Sequence, residues 1–389
     1  MMNSPDVVIV GAGITGCATA FELSKSGLKI QVIERYKPGA MASGWTLAGV
    51  RQSGRHSAEI PLAKYSVEKW PNLAEILGGS TGYTQNGNLR LARTNEEEKI
   101  IKELVRDQKK QGLEIKYLSD IKDVHEIAPF LSNEILSASF CPSDGHADPL
   151  KTLGSYKAAA ERNGVIFFPQ EEVQKINLEK NQIRSITTSK RVIITQKCIL
   201  ANGIHSNSLL RKLGIKIPLD VPIVTVIQTE AVKRMLLPVI GVANADLAMR
   251  QELNGCFRIT SGAQKWDGKL EEKNCMPFAA TNLEKVYGTL KRSMAVIPKL
   301  SQCSMKSFWG GLLDLTPDAL PVIDKIEEYE GLILASGFSG HGFGIGPAIG
   351  GILSDLAMGK KPRLPIDAFS LYRFQKNNII EEKELTLHG

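Results

Sequence analysis

"DVVIVGAGITGCATAFELSKSGLKIQVIER", residues 6–35, decides the fold. Val7 to Val10 is an all-apolar run, the composition of a strand buried on both faces of a parallel sheet. Gly11, Gly13 and Gly16 follow as GxGxxG, flanked by Ile14 and Thr15, then comes a helical pattern to about Ser26 and a second strand over 29–34. Between strand and helix those glycines permit a tight turn, close approach of backbone to a pyrophosphate, and close helix–strand packing. Glu34 stands eighteen residues past Gly16, where a carboxylate accepts both ribose hydroxyls of an adenosine. An acid there argues against a 2′-phosphate and so against NADP; NAD and FAD both stay open. The reading is an α/β chain that opens on a Rossmann-like dinucleotide site.

A second stretch, "LILASGFSGHGFGIGPAIGGILSDLAMG" at 332–359, holds eight glycines and one histidine and reads strand, loop, helix. Pro347 suits a first helical turn. Ile349, Ile352, Leu353 and Leu356 then fall at i, i+3, i+4, i+7, and Gly359 closes the helix. Its first N–H groups are expected to face the bare loop and to hold an anion.

The totals set bounds. A chain of 389 residues is long for one core and predicts two domains. With 43% apolar and 23% charged residues it belongs to the folded globular class. The net charge of +7 is scattered, with no basic run interleaved with aromatics, which argues against nucleic acid and favours an anionic cofactor and acidic substrates. Six cysteines without a CxxC pair form neither a zinc site nor a complete iron–sulfur ligand set, so no metal is expected. Reduced thiols fit a cytoplasmic protein. The start lacks the basic region of a leader, and no apolar run reaches membrane-spanning length.

One further segment, "ASGWTLAGVRQSGRHSAEIPLA" at 42–63, separates the two coenzymes. Together with residues 6–35, "DGHADPL" (144–150), "ILANGIHS" (199–206), "DLTPDALPVID" (314–324) and the glycine loop, it resembles the D-amino-acid-oxidase superfamily of FAD enzymes. Within it the chain is most similar to the sarcosine oxidase β-subunit group, which includes flavin subunits of opine oxidases, D-hydroxyproline dehydrogenases and L-proline dehydrogenases. The order and spacing of the motifs, over nearly the whole chain, carry the resemblance.

That resemblance implies a discontinuous Rossmann-like FAD-binding domain from 1–85, 140–215 and 305–389. It implies an α+β substrate domain on a mainly antiparallel sheet from 86–139 and 216–304. The residues support it independently. "RVIITQKCILANG" (191–203) reads as a strand entering a small-residue turn, whereas "VPIVTVIQTE" (221–230) and "CFRIT" (256–260) are β-rich. The FAD contacts implied are Gly11, Gly13, Ile14, Thr15, Gly16, Glu34 and Arg35 at the first motif, with Ser43, Gly49 and Val50 in the next loop. Val173, Ala201, Asn202, Gly203 and Gly310 follow, then Gly337, Phe338, Gly340, His341, Gly342, Phe343 and Gly344 in the glycine loop. There helix N–H groups would stabilise the negative charge of reduced flavin, by about 0.3–2 kcal/mol from the dipole.

The activity implied is hydride transfer from the C–N unit of an amino or imino acid to flavin N5, giving an imine. The types are D-hydroxyproline, opine, proline or sarcosine. Positioning is most of such catalysis, and arginine grips carboxylates through two parallel hydrogen bonds. Arg51 is the first candidate anchor, with Arg55 and His56 nearby. Arg258 matches the place of an oxygen-activating lysine, and His341 is a titratable group beside the expected flavin. His146 is read as part of a turn before a helix starting near Leu150. Aligned on Thr316–Asp318, the cysteine that tethers flavin in monomeric sarcosine oxidase falls at Gly311, so FAD is expected to be noncovalent. Leu313 and Gly344 likewise replace carboxylate-binding residues of relatives. Electrons would pass to oxygen or to partner subunits carrying a second flavin or an iron–sulfur cluster. The alternative is a non-catalytic flavin-binding subunit of such a complex.

Overall fold

The computed structural model describes residues 4–374; the tail segment 377–389 lies outside them. Val7–Val10 is fully buried and pairs in parallel with Ile30–Ile33 on one side and Cys198–Leu200 on the other. Leu332–Ser336 continues the sheet in parallel, Val322–Lys325 closes one edge antiparallel, and Ile166–Phe168 forms the other edge. Three segments far apart in the chain thus supply one six-stranded sheet. The helix Ile14–Ser24 fills the first crossover, as the sequence predicts.

The C-terminal helix, Gly346–Ala357, lies beside Ile14–Ser24 and is buried along its whole length. A Cβ at Gly350 would stand 2.7 Å from the Ala18 carbonyl carbon, so that glycine serves helix packing rather than loop freedom. This contact aligns the starts of the two helices on one side of the sheet.

An eight-stranded sheet forms the other layer. It is antiparallel except where Val239–Val242 pairs in parallel with Asn88–Ala92. Its edge strand, Met305–Leu312, runs antiparallel to Ile223–Thr229 from Leu312↔Ile223 to Met305↔Thr229. The sequence reading placed 305–312 with the nucleotide layer. The strand instead completes the second sheet, because its neighbour across the ladder lies at 223–229 and not among the parallel strands. We propose that the boundary between the two domains falls just after Leu312. Among the described residues no helix is long and apolar enough to cross a membrane.

Candidate active site

Between the two layers runs a cavity of about 260 Å³. One group of lining residues gathers around Glu34. Its Oε2 accepts the Ala12 N–H at 2.7 Å and its Oε1 the Tyr36 N–H at 2.8 Å. Burial pushes this carboxyl above its usual range, against the pull of those two donors. Arg35 reaches both Glu172 and the His205 ring. Burial, with Arg35 adding to it, pushes His205 down to about 4.

The glycines of the first motif divide their work. Gly11 has φ +101°, and a Cβ there would stand 2.5 Å from the Ala201 carbonyl oxygen. At Gly16 it would stand 1.9 Å from the Gly11 oxygen, so Gly16 lets helix pack on turn and does not line the cavity. Gly49 and Gly203 do line it, and a Cβ on either would meet nothing within 4 Å. Such a side chain would enter the open space a ligand needs. A cavity with bare backbone at Gly49 and Gly203 and a buried acid just past the second strand fits a dinucleotide.

A second group, around Arg51, carries most of the buried charge. Arg51, Arg55 and Arg90 are all buried, as are Glu59 and Asp144. Asp144 accepts the Gln52 N–H at 2.8 Å and the Ser53 N–H at 3.3 Å, which pins the loop that bears Arg51. The Arg51 guanidinium donates to the Ser53 oxygen at 2.5 Å. Arg55 donates through both terminal nitrogens to the His341 oxygen at 3.2 Å and lies 3.6 Å from Glu59. The Glu59 carboxylate receives His341 Nδ1 at 3.0 Å. An ionised carboxylate only accepts, so Nδ1 carries the proton. Burial, helped by Arg55 and Arg51 and opposed by Glu59, pushes the imidazole below its usual range, so it is neutral at pH 7.

Three guanidiniums, Arg51, Arg55 and Arg90, and the carboxyls of Glu59 and Asp144 are thus buried in one region. Burial, then repulsion from Arg55 and Arg90, pushes Arg51 well below its usual range. Arg51 and Arg55 both line the cavity, and the Arg51 guanidinium, whose hydrogen bond goes to a neutral backbone oxygen, suits an anion. Across from them stand Val224, Val226, Thr260, Ser261 and Leu312 from the second sheet.

Seventeen of the expected FAD contacts line this cavity: Gly11, Gly13, Ile14, Thr15, Glu34, Arg35, Ser43, Gly49, Val173, Ala201, Asn202, Gly203, Phe338, Gly340, His341, Gly342 and Phe343. Ser43 Oγ accepts the Ile14 N–H at 2.9 Å. Gly16, Val50, Gly310, Gly337 and Gly344 do not line it. Gly310 bridges to Ala279, and Gly311 lines the cavity in its place. Gly337 donates its N–H to Asp314, and the Gly344 carbonyl accepts the Trp70 Nε1–H. Val50 pairs with Gly145.

Two proposed catalytic residues also point elsewhere. Arg258 Nε lies 2.9 Å from Glu252, which it shares with Arg250, its Nη1 donates to the Thr46 oxygen, and it does not line the cavity. His56 Nδ1 accepts the Ala58 N–H at the start of a short turn of helix. His146, buried, lies 2.7 Å from an Arg250 nitrogen. The expected helix N-terminus also differs: the Ala348 N–H donates to Ser66 Oγ and the Gly346 N–H to the Phe343 oxygen. The cavity meets the preceding loop, 340–343, instead.

Asp314 lines the site too and accepts the Gly337 N–H at 2.7 Å; burial, against those loop donors, pushes it up to about 6. Glu59, Asp144, Arg90 and Asp314 were not among the residues read from sequence. Asp144 and Asp314 head the "DGHADPL" and "DLTPDALPVID" motifs, which was the available signal.

A parallel sheet with a glycine turn, a buried acid and a second layer closing the cleft defines a dinucleotide-dependent oxidoreductase. The family described as FAD dependent oxidoreductase (DAO) matches residues 6–356, and the chain belongs to it. Its cofactor is accordingly FAD. The chain is 24% identical over 385 residues to "Sarcosine oxidase subunit beta" of Rhizobium meliloti (strain 1021), covering 97% of this chain and 90% of that protein. It is 24% identical over 389 residues to "Dimethylglycine dehydrogenase, mitochondrial" of Mus musculus, covering 94% of this chain but 43% of that longer protein. Among solved structures, L-proline dehydrogenase from P. horikoshii superposes with a TM-score of 0.87 at 28% identity, covering 96% of this chain and 99% of that one.

Proposed function

We propose that the chain oxidises the C–N bond of an amino or imino acid carrying a carboxylate, of the sarcosine, proline, D-hydroxyproline or opine type. The observation that carries this reading is the Arg51 guanidinium, buried and lining the cavity, with a backbone oxygen as its hydrogen-bond acceptor. Residues around Glu34, Ser43, Ala201 and the loop 340–343 would hold FAD without a covalent link, since Gly311 offers no tether. Bound there, FAD supplies the two-electron acceptor for a hydride from the carbon next to nitrogen, and the substrate leaves as an imine.

The chain's own work is placement. Arg51 takes the carboxylate, which fixes one end of the substrate. Glu59 holds His341 in one neutral tautomer, so the imidazole itself adds no positive charge beside the substrate nitrogen. Val224, Val226 and Leu312 offer an apolar face for the remainder and exclude water. The names of relatives that are subunits support electron transfer to a partner chain as well as to oxygen.

The test is anaerobic addition of sarcosine, proline of either hand, D-hydroxyproline, dimethylglycine and an opine to the FAD-loaded protein. Loss of the flavin absorption band with at least one of them is the expected result. No loss with any of them contradicts the reading and leaves a flavin-binding subunit.

A further inference from the structure

The segment 264–279 leaves the eight-stranded sheet at a bridge between Ile223 and Gln264 and returns at one between Gly310 and Ala279. Between these anchors Glu271–Lys273 pairs antiparallel with Met276–Phe278. The two turn residues, Asn274 at φ +53° and Cys275 at φ +58°, are both left-handed. That pair is what a two-residue type I′ turn requires, and asparagine tolerates the region better than most residues. The hairpin is a defined arm on the second domain.

Its base lies against the cavity rim. Trp266 and Leu270 pack against the core of Ile223, Ala279 and Leu312, as do Met41, Trp45 and Ile204, and of these Leu312, Met41, Trp45 and Ile204 line the cavity. Farther along the arm, Glu272 Oε1 accepts the Tyr36 hydroxyl at 2.7 Å. Tyr36 lines the cavity and lies two residues past Glu34, to which its N–H is bound. Burial, with Glu272 adding to it, pushes the phenol up to about 12, so it stays a donor at neutral pH. An arm of one domain is thereby fastened to the end of the nucleotide-binding strand of the other.

We propose that this hairpin is a clasp that retains the dinucleotide, with the Tyr36–Glu272 contact as its latch. It rests on the reading of the cavity as the FAD site. A noncovalent cofactor needs such a device more than a tethered one. Departure of FAD requires the latch to open and Trp266 and Leu270 to leave the rim.

The experiment follows FAD release from the purified holoprotein, as the gain in flavin fluorescence on dilution. The variants are Tyr36→Phe, Glu272→Ala, their combination, Glu271→Ala as a neighbouring control, and Glu34→Ala. Each latch variant is expected to speed release roughly tenfold, the order of one hydrogen bond to a charged group, and the pair no more than either alone. Glu271→Ala is expected to release FAD at the wild-type rate. Wild-type release from both latch variants, or effects that multiply in the combination, would overturn the clasp. Glu34→Ala separates the two readings. Fast release from it with slow release from the latch variants rejects the clasp alone, whereas wild-type release from Glu34→Ala as well rejects the cavity assignment.

Discussion

Arg51, buried and lining the cavity, is the residue on which the proposed substrate contact rests. Its replacement by glutamine, Arg51→Gln, should raise the substrate KM about a hundredfold, the cost of about 2–3 kcal/mol for a lost charged pair, while the flavin content stays at the wild-type level. Steady-state kinetics beside the absorbance ratio of the purified protein checks both halves. His341 makes a prediction about pH. Its folded pKa lies below the unfolded value of about 6.5, so the unfolded chain binds the extra proton and stability falls as pH drops below that value. His341→Asn should therefore flatten the fall in Tm between about pH 6.5 and pH 5. A slope equal to that of the wild type would show that His341 is not held neutral. Arg51 was legible because it follows the Ser43–Gly49 loop. Glu59 and Asp144 were not, since an acid at a helix start and an acid in a turn look solvated until packing buries them. Arg258 misled for the opposite reason: only the fold brings Glu252 to within 2.9 Å of it.

At the level of elements, the glycines that look alike in sequence separate into two kinds. Gly16 has no room for a Cβ because backbone oxygen stands 1.9 Å from its place. Gly49 has room, but the room is the cavity. Gly16→Ala should destabilise the fold by about 2–4 kcal/mol, read as a lowered Tm, through strain and displaced backbone. Gly49→Val should leave the protein folded by circular dichroism yet lower its FAD content. If Gly16→Ala purified with a normal Tm, the close helix–turn contact would be wrong. The first strand, the first helix and the C-terminal helix were legible because their hydrophobic periods are local. The glycine loop was legible as a loop, but its division between cavity lining and helix packing was not. Gly350 against Ala18 depends on two helices more than three hundred residues apart in the chain.

The two largest sheets among the described residues share one cleft, each assembled from segments distant in sequence. That assembly explains why the strand at 305–312, expected with the nucleotide-binding segments, pairs in the second sheet. Its partner at 223–229 is set by long-range pairing, which no local pattern encodes. The same geometry places Glu34 with one set of lining residues and Arg51 with another, along a single cavity. On that continuity we propose the adenosine of FAD beside Glu34, its ring system beside loop 340–343, and a carboxylate on Arg51. The most direct measurement is a crystal structure of the FAD-loaded protein soaked with an unreactive carboxylate analogue of the substrate. The account predicts the isoalloxazine against Gly340–Phe343 and the analogue's carboxylate on the Arg51 guanidinium. An isoalloxazine seated elsewhere, or a carboxylate bound away from Arg51, would contradict it.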